Sequence, residues 1–162
     1  GCISTGSNIE FIKRNFRIED VKRIFDNQSF LQSSWLFSEM VSSTVLNLIA
    51  RIMKKKSYRK NDNMTIGKTQ KIFMLKKGEI EVKLENKVVE RLTSGGYYGE
   101  ESILFGEENL MSANVIEDSE IFMIPADILK KIPIIEWKML ETFERRLTAF
   151  GTQLNTEVIT FC

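Results

Sequence analysis

Gly95-Gly96-Tyr97-Tyr98-Gly99-Glu100-Glu101-Ser102-Ile103-Leu104-Phe105-Gly106-Glu107-Glu108-Asn109 is the stretch on which the reading of this chain turns. Its glycines let the backbone come close to another group. Gly99-Glu100 opens a short apolar turn, Ile103-Leu104-Phe105, that reads as one or two turns of helix. A glycine loop feeding a helix start gathers unpaired backbone N–H groups, the general recipe for an anion cradle. Yet the same stretch is rich in carboxylates and holds neither Lys nor Arg. An anion cradle without a cation is the chemical question this sequence poses.

The 162 residues fit one domain. Net charge is +1, so no global electrostatic case exists for nucleic acid or membrane. Histidine is absent, which removes the commonest general base and metal ligand. Cys2 and Cys162 lie at opposite ends, too few for a zinc site. They read as two reduced thiols of a cytoplasmic protein, or as a terminal disulfide. No apolar run approaches the ~20 residues of a membrane span. No nucleophile–base pair, paired-acid motif or metal set is present, so a non-enzymatic module without a cofactor is expected. Gly1-Cys2-Ile3-Ser4-Thr5 has two readings. With an initiator Met removed, it fits N-myristoylation at Gly1, with Cys2 open to a second acyl chain; membrane attachment would then follow. Otherwise it is simply the start of a domain within a longer protein.

Working outward, Ile18, Val21 and Phe25, with Ile24 beside them, predict a helix from Arg17 that closes at Asn27-Gln28-Ser29. Ser42 or Ser43 caps a second helix whose buried face is Val45, Leu48, Ile49 and Ile52. The period then changes. Strands are expected at Met64–Ile66, Ile72–Leu75, Ile80–Leu84 and Val88–Leu92, with turns at Asn61-Asp62-Asn63, Lys76–Glu79 and Glu85-Asn86. Beyond the opening stretch, Met111–Ile116 and Ile121–Ile124 read as two more strands joined by Glu117-Asp118-Ser119. Pro133 starts a last helix. Its stripe is Ile135, Met139, Phe143, Leu147, Phe150 and Leu154, and a polar tail frays beyond Gly151. The stripe reads as core against the sheet, or in part as the seam of a homodimer.

This order, and the stretch itself, resemble the cyclic-nucleotide-binding domain family, of the catabolite-activator and protein kinase A regulatory-subunit type. The likeness runs over roughly residues 36–147. Lys77-Gly78-Glu79-Ile80-Glu81-Val82 is similar to the family's turn before its fourth strand. The family's phosphate-binding cassette aligns without a gap on Tyr98-Gly99-Glu100 through Met111-Ser112. The resemblance implies an α+β, mainly β fold: an antiparallel eight-strand, jelly-roll-like β-roll flanked by N- and C-terminal helices. It divides the chain into residues 1–34 (tail and helix), 35–150 (the domain) and 151–162 (tail).

The resemblance also implies roles at Tyr98, Gly99, Glu100, Glu101, Ser102, Asn109, Met111 and Ser112. Gly99 would let backbone approach a ligand. Glu100 would accept from a ribose 2′-hydroxyl. The N–H groups near Glu101 and Ser102 would meet phosphate oxygens, and Ser112 would touch phosphate or base. The family's cassette Arg, which pairs with the cyclic phosphate, is Asn109 here. Between Leu92 and Leu129 there is no Lys or Arg, while eight carboxylates crowd the segment. Weak or no binding of cAMP and cGMP is therefore expected, with a neutral purine nucleoside better suited. The alternative is an empty cassette on a protein-interaction scaffold. Asn61 stands where the family has Gly. The run Arg51, Lys54, Lys55, Lys56, Arg59, Lys60 reads as a solvated face, or as a patch for an acidic partner or anionic headgroup. Partners expected are a nucleotide or nucleoside, a protein or further domains of a longer chain, and a second copy through the last helix. No nucleic-acid-binding element lies within this chain.

Overall fold

The structure, a computed structural model, describes residues 17–40, 42–64 and 70–161. The N-terminal Gly1 and Cys2, and the end of the expected strand at Met64–Ile66, lie outside these residues. Two helices open the described chain, α1 (Ile18–Ser33) and α2 (Ser43–Ile52). Helix α1 runs through Asn27 rather than stopping there. Asn27 is buried, and its Nδ2 donates to the Ala50 carbonyl at 3.1 Å. A side chain that would otherwise compete for its own backbone thus ties α1 to α2. The buried line is Ile24, Asn27 and Leu31, which leaves Ile18 and Phe25 exposed. Ser42 caps α2 by accepting from the Val45 N–H. The inner face of α2 is Leu46, Ile49 and Ala50, so it is turned from the expected one and Leu48 is half-exposed.

Five strands form one antiparallel sheet: β1 (Lys54–Tyr58), β2 (Lys71–Leu84), β3 (Lys87–Leu92), β4 (Tyr97–Tyr98) and β5 (Ser112–Pro125). The path is β1-β5-β2-β3, with β4 pairing β2. Eight separate strands are not seen among the described residues. The expected strands at Ile72–Leu75 and Ile80–Leu84 are two halves of β2, and those at Met111–Ile116 and Ile121–Ile124 largely merge into β5. The residues that look like turns are bulges in the β2–β5 ladder, where the register shifts between Leu75 and Ile80. Gly78, at φ +109°, supplies the local backbone; a Cβ there would lie 2.8 Å from the Ser119 Cα. Glu85 and Asn86 both have positive φ, 48° and 66°, and close the two-residue β2–β3 hairpin. Asn61, in the place of a family Gly, takes φ 74°. Asn is among the non-glycine residues best suited to that region, so this departure leaves the turn intact.

Alternate residues of β2 feed two cores. Ile72 and Met74 face the helices, with Leu31, Phe37, Leu46, Ile49, Ile135 and Met139. Phe73, Leu75, Ile80 and Val82 face Met111, Val115, Ile121 and Tyr98. Burial on both sides explains why Ile72–Leu75 is a continuous apolar run instead of an alternating one. Short helices α3 (Glu100–Phe105) and α4 (Ala126–Leu129) precede α5 (Pro133–Phe161). Helix α5 stays helical past Gly151, where a fraying tail is expected from sequence. Its buried line mixes Ile135 and Met139 with Lys138, Thr142 and Arg146, while Leu147 and Leu154 are partly exposed. Among the described residues, no helix is long and apolar enough to cross a membrane.

Candidate functional site

The opening stretch folds as β4, a left-handed turn at Gly99, helix α3 and a second left-handed turn at Gly106. Gly99 has φ +107°, and a Cβ on it would sit 2.7 Å from the Lys71 carbonyl oxygen. Only glycine fits there. The turn drives the first residues of α3 inward, so Glu100, Glu101 and Ser102 are buried at 1%, 4% and 1% exposure. Two adjacent buried carboxylates require compensation.

Most of the predicted residues are brought together. The Tyr98 hydroxyl donates to the Met111 carbonyl at 2.5 Å. The Met111 N–H donates to Glu101 Oε2 at 3.3 Å. Ser102 Oγ donates to the Gly99 carbonyl at 3.2 Å. Asn109 enters in a way sequence does not announce: its Oδ1 accepts from the Ser102 N–H at 3.3 Å. That N–H is one expected to meet a phosphate oxygen. An amide oxygen of the chain itself now meets it. Ser112 begins β5 opposite Lys83 and is half-buried.

Glu100 is turned the other way, toward a residue the sequence reading misses. Arg146 of α5 is 1% exposed, and its Nη1 lies 2.5 Å from Glu100 Oε1. Its Nε lies 2.5 Å from Glu90 Oε2 on β3, and its Nη2 donates to the Tyr97 carbonyl at 2.5 Å. One planar guanidinium thus serves three acceptors from three elements. Burial alone would lower the Arg146 pKa, but Glu100 and Glu90 outweigh it and hold the group fully charged. Arg145 reinforces the cluster from the exposed side, 2.8 Å from Glu90 Oε1. The cassette therefore does face a cation, delivered across 46 residues of sequence rather than from within the segment. A weak sequence signal existed. Lys138, Thr142 and Arg146 repeat every four residues beside Ile135 and Met139, the spacing of one helix face.

More contacts hold α5 against the cassette. The Tyr97 hydroxyl donates to the Lys138 carbonyl at 3.2 Å and also bonds the Thr142 hydroxyl. Since a carbonyl only accepts, Thr142 is the donor to Tyr97. Phe105 of α3 meets Phe143 of α5 edge-on, with centroids 5.0 Å apart. Lys138 Nζ donates to the Trp35 carbonyl at 2.5 Å and to Ser38 Oγ at 3.0 Å. The segment before α2 and the cassette are thus both fastened to α5.

Two carboxylate oxygens, Glu100 Oε2 and Glu101 Oε1, are buried with no hydrogen-bond donor among the described residues. Burial raises the pKa of Glu101 above its ordinary 4.5; the Met111 N–H opposes this, and the Glu100 charge adds to it. Burial likewise raises the Tyr98 hydroxyl, with Glu101 and Glu100 adding to it, so Tyr98 remains a donor at ordinary pH. A carboxylate with a raised folded-state pKa binds its proton more tightly folded than unfolded. Its contribution to stability is therefore lost as pH rises from about 4.5 through the raised value. Glu101→Gln is expected to flatten that part of the stability–pH profile and to leave the chain more stable at pH 7. Urea melts from pH 4 to pH 8 check this; an unchanged profile would refute it.

A family model for the cyclic nucleotide-binding domain matches residues 56–133. The fold is that of cAMP-bound PfPKA-R, with a TM-score of 0.75 at 19% identity, over 88% of this chain and 52% of that one. A second similar structure is a regulatory subunit of a cAMP-independent protein kinase A from Trypanosoma brucei. It is a triple mutant, one change being Thr to Arg, bound to cAMP in its A site (TM-score 0.69, 12% identity, 85% of this chain and 53% of that one). A third is the corresponding subunit from Trypanosoma cruzi bound to guanosine, with a TM-score of 0.61 at 15% identity, over 67% of this chain and 40% of that one. This chain spans about half the length, or less, of these structures. At such identities the likeness is one of fold. No curated protein matches the sequence.

Proposed function

We infer that this chain, whose residues 56–133 belong to the cyclic nucleotide-binding domain family, is a regulatory module whose cassette takes a neutral nucleoside in preference to cAMP or cGMP. Domains of this family are non-catalytic, ligand-binding regulatory units. One observation carries the finer reading: Glu100 Oε2 is a buried acceptor without a donor, while the position of the family's phosphate-pairing Arg is filled by Asn109. A ribose hydroxyl is the donor that Glu100 lacks. A cyclic phosphate would have to displace Asn109 Oδ1 from Ser102 and then lie near Glu100 and Glu101. Guanosine in the T. cruzi structure, and cAMP in a T. brucei variant that introduces an Arg, support this division of ligands.

Signalling would pass through Arg146. A ligand hydroxyl on Glu100 changes what that carboxylate offers to Arg146, and α5 moves if its two positions differ in that contact. The unit that responds is taken as residues 35–150. The half-exposed Leu147 and Leu154 would serve a homodimer seam along α5. The second reading, a ligand-free interaction scaffold, is favoured by the same internal bonds, since Ser102 N–H and Glu100 Oε1 are both met within the chain.

Thermal-shift measurements with guanosine, adenosine, inosine, cAMP and cGMP separate the readings. A nucleoside at 100 times its Kd adds about 2.7 kcal/mol. The expected result is a rise in Tm with at least one nucleoside and little change with either cyclic nucleotide. Clear stabilisation by micromolar cAMP would overturn the assignment, and silence from every compound would leave the scaffold. Asn109→Arg is expected to raise cyclic-nucleotide affinity about tenfold or more, since a charge-assisted contact contributes roughly 1.5–3 kcal/mol. Titration calorimetry reads it, and no gain would mean that the neighbouring carboxylates dominate.

A further inference from the structure

The basic run in the sequence is divided by the fold. Lys56 lies 4.8 Å from the Tyr58 ring centre, and the Arg59 and Lys60 backbones close a turn on Asp62 and Asp118. Arg51, Lys54 and Lys55 instead join Arg23 of α1 around a cleft of about 680 Å³. Arg23, Arg51 and Lys55 come together there from two helices and a strand, while Lys54, the ladder partner of Met123, lines the cleft from a position whose side chain faces the other way; among the described residues no carboxylate lines it. Arg51 is steadied by its Nε bond to Asn47 Oδ1 at 2.8 Å. The floor is apolar. Met53 and Phe122 are each 3% exposed, and Phe122 is held by Phe30 at 5.3 Å between ring centres. Lys55 is the ladder partner of Phe122, so both project to the helix-covered face.

One side of this cleft is a sheet edge. Among the described residues, strand β1 is hydrogen-bonded to β5 on one side and ends the sheet on the other. Residues Lys54 to Ser57 are all exposed. Lysines on an edge strand ordinarily guard against unwanted pairing. A guard of that kind refuses a basic strand and admits an acidic one. We propose that the cleft between α1, α2 and the outer edge of β1 docks an extended acidic peptide of a partner protein, which adds a strand to β1 and sets an apolar side chain on Met53 and Phe122. The chemistry excludes other occupants by degree. A free phosphate leaves the apolar floor uncovered.

The test uses the full chain and a fluorescein-labelled peptide that alternates Glu with Val around a central Phe, read by anisotropy at low salt. Saturable binding that weakens as salt rises is expected. Arg51→Glu with Lys55→Glu should weaken it at least tenfold, and Arg51→Ala with Lys54→Ala by less. Both pairs are exposed, so the melting curves should match the parent chain, and the thermal response to nucleosides should stay unchanged. N-methylation of alternate peptide nitrogens should also abolish binding, because strand addition needs those N–H groups. Absent binding, or equal binding by a Lys/Val peptide, would overturn the proposal. So would indifference to the charge reversals or to N-methylation. Competition by millimolar inorganic phosphate, or preference for phosphatidylserine vesicles over the peptide, would assign the cleft to those anions instead and overturn it as well.

Discussion

Arg146→Ala is expected to destabilise the chain by about 3–5 kcal/mol, the range for breaking a buried ion pair from one side. For a chain of this size that is a fall in Tm of about 10 °C. The side chain is 1% exposed and its three acceptors are Glu100, Glu90 and the Tyr97 carbonyl. Removing it leaves Glu100 buried without its cation, while Glu90 keeps Arg145. The loss should therefore come mostly from Glu100. Glu100→Gln in the Arg146→Ala background tests that attribution, and is expected to recover a large part of the stability. Arg146→Lys should not rescue, because an ammonium on a flexible stem cannot serve three acceptors in one plane. Urea denaturation of the three variants provides the measurement. A loss below about 1 kcal/mol, as for an exposed pair, would show that Arg146 does not hold the cassette to α5.

Gly99→Ala is expected to cost about 3 kcal/mol, from two terms of similar size. A left-handed φ of +107° strains any residue with a Cβ, by roughly 1–3 kcal/mol. That Cβ would also lie 2.7 Å from the Lys71 backbone oxygen, a neighbour that cannot rotate away. Overpacking of this kind adds roughly 1–3 kcal/mol. Because the turn at Gly99 aims Glu100 and Glu101 inward, any nucleoside response should be lost with it, even where the variant stays folded. Gly106→Ala is the control. Its φ is also positive, 70°, but a Cβ there meets no heavy atom within 4 Å. It should cost only the backbone strain, roughly 1 kcal/mol, and leave the ligand response in place. Equal losses at the two glycines would remove the steric argument.

Local features were legible in the chain itself. The Glu85-Asn86 hairpin, the alternation through Ile80 and Val82, the Ser42 cap and the Gly99 turn all depend on neighbours in sequence. The absence of Lys and Arg between Leu92 and Leu129 was legible in the same way. Strand number was not. A bulge and a turn use similar residues, and only pairing with β5 shows that Lys76–Glu79 continues a strand. Helix faces were half legible. Ile49 and Met139 point inward as periodicity requires, but Leu48 and Phe25 are exposed, because the partner surface, not the helix, decides which apolar residue is covered.

The sequence by itself therefore determined a glycine turn feeding an acidic helix start with no internal cation. Tertiary structure alone decided how that site is neutralised. It placed Asn109 Oδ1 on the Ser102 N–H and brought Arg146 from α5 to Glu100. The physical reason is that hydrogen-bond and charge satisfaction are properties of volume, not of sequence distance. A buried carboxylate takes whichever donor the packing brings near it, and here packing brought one from 46 residues away.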